Sequence, residues 1–213
     1  MKIKFKKYWR KTSFKNKEDG YFFLNHIKKI KPKNFLEIGV FHGVTSRNVC
    51  ELLNSIHRDD FKFTGIDIFL EESALNKEDY APKTKFSNPL KNLYYNYITR
   101  LDPYSLESVQ KLLKKYKNNV NIIKGNSHKI LKEINLDKFE YVFLDGGHGY
   151  ETVLEDLKCL KKVVENNAVI LCDDYGLNYA PGVKRAIDEY VLLNNFNLNI
   201  LHTRFAEITK NST

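Results

Sequence analysis

Short apolar runs alternate with stretches of helical period along most of this chain of 213 residues. Tyr21, Phe22, Leu24, Ile27 and Ile30 approximate one helical face, which predicts a helix from Glu18 to Lys31 ending at Pro32. The runs "NFLEIGV", "FKFTGIDIF", "VNIIKG", "YVFLDG" and "AVILCDD" then read as strands. Helices are predicted between and after them, from about Thr45 to His57, after Ser127, from Glu151 to Val164 and from Pro181 to Leu193. Strands alternating with helices need crossover connections, and these favour a parallel sheet with helices on both faces. The last stretch, "LNILHTRFAEIT", breaks the pattern: two extended runs meet near Thr203 and Arg204 and predict a C-terminal antiparallel strand pair. The expected fold class is α/β, a doubly wound and mostly parallel sheet with an antiparallel edge.

In such sheets ligands bind beyond the carboxyl ends of the strands, near the switch in strand order. The residues ending the strands are Glu37 with Gly39, Asp67, Gly125 with Asn126, Asp145, and Asp173 with Asp174. "LEIGVFHGVTS" puts Gly39 and Gly43 in the first strand-to-helix turn, where backbone N–H groups are open to a ligand. It is not the dinucleotide fingerprint, because Phe41 stands where the middle glycine for pyrophosphate belongs.

The E-x-G-x-x-x-G spacing instead resembles the first motif of class I S-adenosylmethionine-dependent methyltransferases, whose sheet is Rossmann-like. The resemblance implies a cofactor site that includes Glu37, Gly39, Gly43, Thr45 and Ser46. Asp67, at the end of the second strand, has the chemistry to accept both ribose hydroxyls. "KGNSH" is similar to the family's adenine-contacting turn, with Asn126 in place of the usual acidic residue and Ser127 after it.

"YVFLDGGHGY" and "VILCDDYG" each end a buried run with carboxylates, and neighbouring strands would bring Asp145, Asp173 and Asp174 together. Three such groups repel one another, a cost that a hard divalent cation with oxygen ligands removes, so Mg²⁺ is the expected metal. The competing reading is that these aspartates cap the turns that follow them. The segment from "YVFLDGGHGYETVLEDL" through "VILCDDYG" to "PGVKRAIDEY" resembles metal-dependent O-methyltransferases of the macrocin and mycinamicin sugar-methyltransferase type, within the catechol O-methyltransferase-like group. The resemblance covers roughly residues 33 to 193. It implies Asp145, Asp173 and Asp174 as Mg²⁺ ligands, and His148, three residues after the first, as general base.

The chemistry suits those residue types. A sulfonium methyl is already electrophilic, whereas an alcohol is a poor nucleophile until its proton leaves. A metal on the substrate oxygens and a histidine base would act on the same proton. Residues 71–101 read as a lid-like insertion whose tyrosines and lysines would suit a sugar or phosphorylated sugar. After it Asp102 and Pro103 predict the start of a helix running to about Lys117.

Composition narrows the picture further. Residues 1–20 form a basic extension to a domain over 21–213, and much of the net charge of +9 lies in the first 33 residues. That charge is read as a solvated arm or as weak contact with an anionic membrane surface. No apolar run approaches the roughly 20 residues of a membrane span, and three scattered cysteines suggest a reducing, cytoplasmic setting. Nucleic acid is disfavoured as substrate, because L-D-G-G stands where amino methyltransferases carry their N-P-P-Y type motif. The expectation is a small-molecule O-methyltransferase acting on a sugar or glycan precursor. A catechol-type enzyme and a noncatalytic cofactor-binding partner protein are the alternatives, and the related enzymes suggest homo-oligomers.

Overall fold

A computed structural model describes residues 4–69, 86–202 and 204–211. Its seven strands are β1 (Asn34–Ile38), β2 (Lys62–Asp67), β3 (Val120–Lys124), β4 (Tyr141–Leu144), β5 (Val169–Cys172), β6 (Asn197–Leu201) and β7 (Phe205–Thr209). They form one sheet in the order β3-β2-β1-β4-β5-β7-β6. β1 to β5 are parallel to their neighbours, while β7 runs antiparallel to β5 and to β6. The strand order reverses between β1 and β4, which makes their carboxyl ends the switch point. Leu144 pairs with Cys172, so Asp145 and Asp173 leave the sheet side by side.

Side-chain alternation explains why the central strands are apolar throughout. On β4, Val142 and Leu144 pack into an aliphatic layer with Leu36, Ile38 and Ile170, under α6 (Tyr150–Cys159) and α8 (Pro181–Asn194). Tyr141 and Phe143 face the other way, into an aromatic layer with Phe35, Phe63 and Phe205. There α1 (Lys17–Ile30) adds Phe23, Leu24 and Ile27, and α2 (Val44–His57) adds Val49 and Leu53. Each fully buried Phe or Leu of these layers is worth about 1.5–3 kcal/mol relative to exposure.

The basic extension is packed on the aromatic layer. Phe14 is fully buried against the rings of Phe23, Phe143 and Phe205. Arg10 donates to the carbonyls of His42, Pro103 and Ser108 and to the Ser108 hydroxyl, and burial lowers its pKa. The stretch is therefore a clamp over the first strand-to-helix turn rather than a solvated arm.

Local chemistry shifts two expected boundaries. Ser105, not Asp102, caps α4 (Leu106–Leu113), accepting from the N–H of Ser108, while Asp102 accepts from Tyr104 and forms the turn before it. The predicted helix over 151–164 is two, α6 and α7 (Lys161–Glu165), meeting at Leu160. Residues 71–85 of the expected lid lie outside the described residues. Its later part forms α3 (Pro89–Leu93) and a π-helical turn over Tyr94–Thr99. That part packs on the N-terminal clamp, with Trp9 against Tyr94 and Arg10 over Tyr95. α5 (Ser127–Glu133) follows β3. No helix among the described residues is long and apolar enough to cross a membrane.

Candidate active site

The carboxyl ends of β1 to β5 open onto a cavity of about 560 Å³ that spans the switch point. Beside β1, β2 and β3 it is built from short turns. Gly39 follows β1 with φ 92°, and a Cβ there would lie 1.9 Å from the carbonyl oxygen of Asp145. The first demand on this glycine is thus the close passage of β1 past the end of β4. Asp67 ends β2 inside the cavity wall. Its Oδ2 accepts from the N–H of Phe41 at 2.7 Å, and its Oδ1 from the N–H of Phe69 and the hydroxyl of Tyr104, both at 2.8 Å. Burial raises this carboxyl above its ordinary value against those hydrogen bonds. A carboxylate oxygen can accept more than one bond, so Asp67 keeps capacity for ligand hydroxyls.

Asn126 and Ser127 line the same end of the cavity. The buried Oδ1 of Asn126 has no partner among the described residues, a deficit of about 1–3 kcal/mol that a ligand N–H would relieve. Ser127 donates to Asp156 at 2.8 Å and ties α5 to α6. Glu37, Gly43, Thr45 and Ser46 do not line the cavity. Glu37 is fully buried, accepts from the Ser46 hydroxyl, and is lifted by burial to about 8. Gly43 caps α2, and His42 lies behind Phe41 and Tyr104, held neutral by burial that pushes it down to about 3.

The other end of the cavity is lined by Asp145, Gly146, Gly147, His148, Asp174 and Tyr179. The turn carrying His148 is pressed by α8: a Cβ on Gly182 would sit 2.6 Å from the amide nitrogen of Tyr150 and 2.8 Å from the His148 carbonyl oxygen. His148 Nε2 lies 2.9 Å from Asp174 Oδ2, and the Tyr179 hydroxyl donates to Asp174 Oδ1 at 2.8 Å. An ionised carboxylate only accepts, so Nε2 is the donor in this contact. Asp174 itself sits at φ 61°, a left-handed conformation uncommon outside glycine.

A histidine paired with a carboxylate thus faces Asp67 across one cavity at the switch point of a 3-2-1-4-5-7-6 sheet. The sequence profile of a family described as "Methyltransferase domain" matches residues 36–175. The chain belongs to this family. No curated protein is similar enough to match it.

Solved methyltransferase structures share the fold. A methyltransferase of Podospora anserina, PaMTH1, bound to S-adenosylhomocysteine, is 16% identical with a TM-score of 0.62, over 92% of this chain and 80% of that one. TomG, an O-methyltransferase of Streptomyces achromogenes involved in tomaymycin synthesis and solved with S-adenosylmethionine, is 16% identical with a TM-score of 0.59, over 92% and 81%. CalS11, a TDP-rhamnose 3'-O-methyltransferase of calicheamicin biosynthesis, is 13% identical with a TM-score of 0.56, over 89% and 77%.

In this methyltransferase domain Asp145, Asp173 and Asp174 do come together, but around an arginine. Arg204, at the start of β7, donates from Nε to Asp173 Oδ1 at 2.5 Å, and from Nη2 to Asp173 Oδ2 at 2.6 Å and to Asp174 Oδ1 at 2.8 Å. Asp145 Oδ2 accepts from the Ser13 hydroxyl at 2.9 Å. Both oxygens of Asp173, both of Asp174 and one of Asp145 are thus engaged by protein donors. Among the described residues no group of three or more His, Cys, Asp or Glu is arranged to hold a metal ion. The expected Mg²⁺ ligand set does not fit a hard cation in this arrangement, because the guanidinium holds both oxygens of Asp173 and one of Asp174 while His148 holds the other.

The electrostatics follow from that placement. Burial, reinforced by the charges of Asp173 and Asp174, pushes the Asp145 carboxyl well above its usual range. Burial acts the same way on Asp174, but the hydrogen bond from His148 and the charge of Arg204 outweigh it and hold Asp174 low. Burial opposes the charge on Arg204, and the charges of Asp173 and Asp174 overcome it and raise its pKa. Burial with the charge of Asp174 lifts Asp173 to about 7; the two parallel N–H···O contacts to a guanidinium that stays cationic are nevertheless those of an ion pair.

Arg204, Ser13, Thr12, Lys15 and Tyr104 are site residues that the sequence motifs do not mark. One signal was available for Arg204. Three carboxylates at two adjacent strand ends require a cation, and a neighbouring antiparallel strand beginning with arginine can supply one.

Proposed function

We propose that this chain is an S-adenosylmethionine-dependent O-methyltransferase that methylates a hydroxyl of a small molecule, with a sugar or glycan precursor as the favoured acceptor. The observation that carries the reading is the single cavity joining Asp67 and Asn126 at one end to the His148–Asp174 pair at the other. Bound cofactor would supply an electrophilic methyl group on sulfur.

The protein's own residues supply the rest. Asp67 would accept the ribose hydroxyls, and the orphan Oδ1 of Asn126 would accept the adenine amino hydrogen. Gly39, in the turn after the neighbouring β1, also lines the cavity. His148 would take the acceptor's hydroxyl proton while Asp174 orients the ring and stabilises the imidazolium that forms. Such a base contributes about 10²–10⁴-fold to rate. Tyr179 and Lys15 border the acceptor end and would cover a sugar face and pair with an acidic group on it. CalS11, a neighbour by fold, acts on a nucleotide sugar, which supports that class of acceptor.

Titration calorimetry with S-adenosylmethionine, S-adenosylhomocysteine and NAD tests the cofactor. Binding of the first two and not the third is expected, and the reverse would overturn the reading. A methyl-transfer screen over nucleotide sugars, glycans and catechols then tests the acceptor. Cofactor binding without transfer to any hydroxyl class would favour a noncatalytic partner protein.

A further inference from the structure

The guanidinium of Arg204 stands where the carboxylate-rich corner would otherwise need a cation. It reaches both oxygens of Asp173 and one of Asp174, and its Nη1 lies 3.4 Å from Asp19 on α1. The residue is only 7% exposed. Its guanidinium carbon is 5.4 Å from the centre of the Phe14 ring and 5.6 Å from that of Phe205. Its carbonyl accepts from the N–H of Tyr175 at 2.9 Å, which ties the arginine's backbone to the turn that carries Asp174. An arginine gripped by three carboxylates, two aromatic rings and a backbone bond is a fixed part of the fold. Its planar fork matches a carboxylate in two contacts, as a spherical ion would not demand.

We propose that Arg204 is the resident cation of this corner, and that the reaction runs without a divalent metal, with Arg204 acting as a positioning residue for the base. The inference rests on the methyl-transfer reading above. The chain of contacts is Arg204 to Asp174 to His148: the guanidinium holds Asp174 Oδ1, and the other oxygen, Oδ2, holds Nε2 of the imidazole. The proton balance closes within the protein and its substrates. The acceptor oxygen forms a bond to the methyl carbon as the carbon–sulfur bond breaks, the electron pair stays on sulfur, and the hydroxyl proton passes to His148. A consequence for substrate class follows. A metal-dependent enzyme holds its acceptor through two adjacent oxygens, whereas this corner demands only one hydroxyl beside His148. Acceptors with an isolated hydroxyl are therefore substrates.

Direct metal binding decides the first half. Mn²⁺ titrated into the full-length protein and followed by electron paramagnetic resonance should stay free at millimolar concentration, and Mg²⁺ should leave the melting temperature unchanged. In Arg204→Met, which leaves Asp173 and Asp174 without their cation, Mn²⁺ should bind and Mg²⁺ should raise the melting temperature. Tight Mn²⁺ binding by the unaltered protein would overturn the proposal even if no acceptor had been found. If Arg204→Met does not fold, Arg204→Lys keeps the charge but loses the fork. Its kcat should fall about 10- to 100-fold with KM for S-adenosylmethionine unchanged, and equal changes in both would reduce Arg204 to a structural role. Calorimetry keeps the two readings apart. Absent S-adenosylmethionine binding would sink the proposed function, whereas intact binding with transfer abolished by EDTA would sink only the present inference.

Discussion

The two ends of the cavity are built in different ways. At the end formed by β1, β2 and β3, the polar groups lie at or just after the ends of their own strands, and Asp67 is held by the backbone N–H groups of Phe69, two residues on, and Phe41, one crossover away. At the other end, groups from the far reaches of the chain meet. Ser13 reaches Asp145 across 132 positions of sequence, and Arg204 bridges to Asp19 across 185. The first kind of construction leaves a motif that can be read locally. The second leaves only scattered polar residues whose meaning depends on which strands become neighbours.

That contrast yields tests in descending order of effect. On the proposed function His148→Ala should lower kcat by about 10²–10⁴-fold while leaving calorimetric affinity for S-adenosylmethionine intact, because His148 lies at the end of the cavity away from Asp67 and Asn126. A matching loss of cofactor affinity would mean that the two ends are not separable. Phe14→Ala empties a fully buried site that touches four other rings, and should cost about 3–5 kcal/mol in denaturant unfolding. If the N-terminal stretch were a dispensable arm, the cost would be near zero.

At the opposite end, Asp67→Asn should weaken S-adenosylmethionine binding by roughly 10-fold, the loss of a charge-assisted hydrogen bond of about 1.5–3 kcal/mol, with little change in kcat. An unchanged Kd would remove Asp67 from the cofactor site. Glu37 offers a pH test behind that end. Burial raises its folded pKa to about 8, above an unfolded value of roughly 4.3. Its contribution to stability is therefore fully present below the lower value and is lost as pH rises through about 8. Glu37→Gln should flatten the stability profile over that window, and an identical slope in both proteins would show that Glu37 is not the group responsible. The smallest effect belongs to Ser13→Ala, about 1 kcal/mol or less, seen as a slight drop in melting temperature.

Much of the frame was legible because periodicity reports burial. The apolar runs from Asn34, Phe61, Val120, Tyr141 and Ala168 became β1 to β5, and the expected antiparallel pair became β6 and β7. The strand-end rule located Asp67, Asn126, Asp145 and Asp174 at one cavity, and the family resemblance added His148. The rule and the first-motif resemblance together also selected Glu37, Thr45 and Ser46, which lie outside that lining, because a motif states which turn carries a residue and not which way its side chain leaves the backbone. Charge composition was least informative. The basic N-terminal stretch looked like a surface feature, yet Arg10 and Phe14 are among its anchored parts.

The sequence by itself determined that a doubly wound sheet would form, where its strands would end, and that three carboxylates would crowd one rim, since hydrophobic period and turn chemistry are local properties. Only the tertiary structure decided what neutralises that rim. The sheet order sets β7 beside β5, and Tyr175 N–H on the Arg204 carbonyl anchors the start of β7 at the acidic turn. Attraction between opposite charges depends on their separation in space and on the loss of water between them. Neither quantity is written in the spacing of residues along the chain.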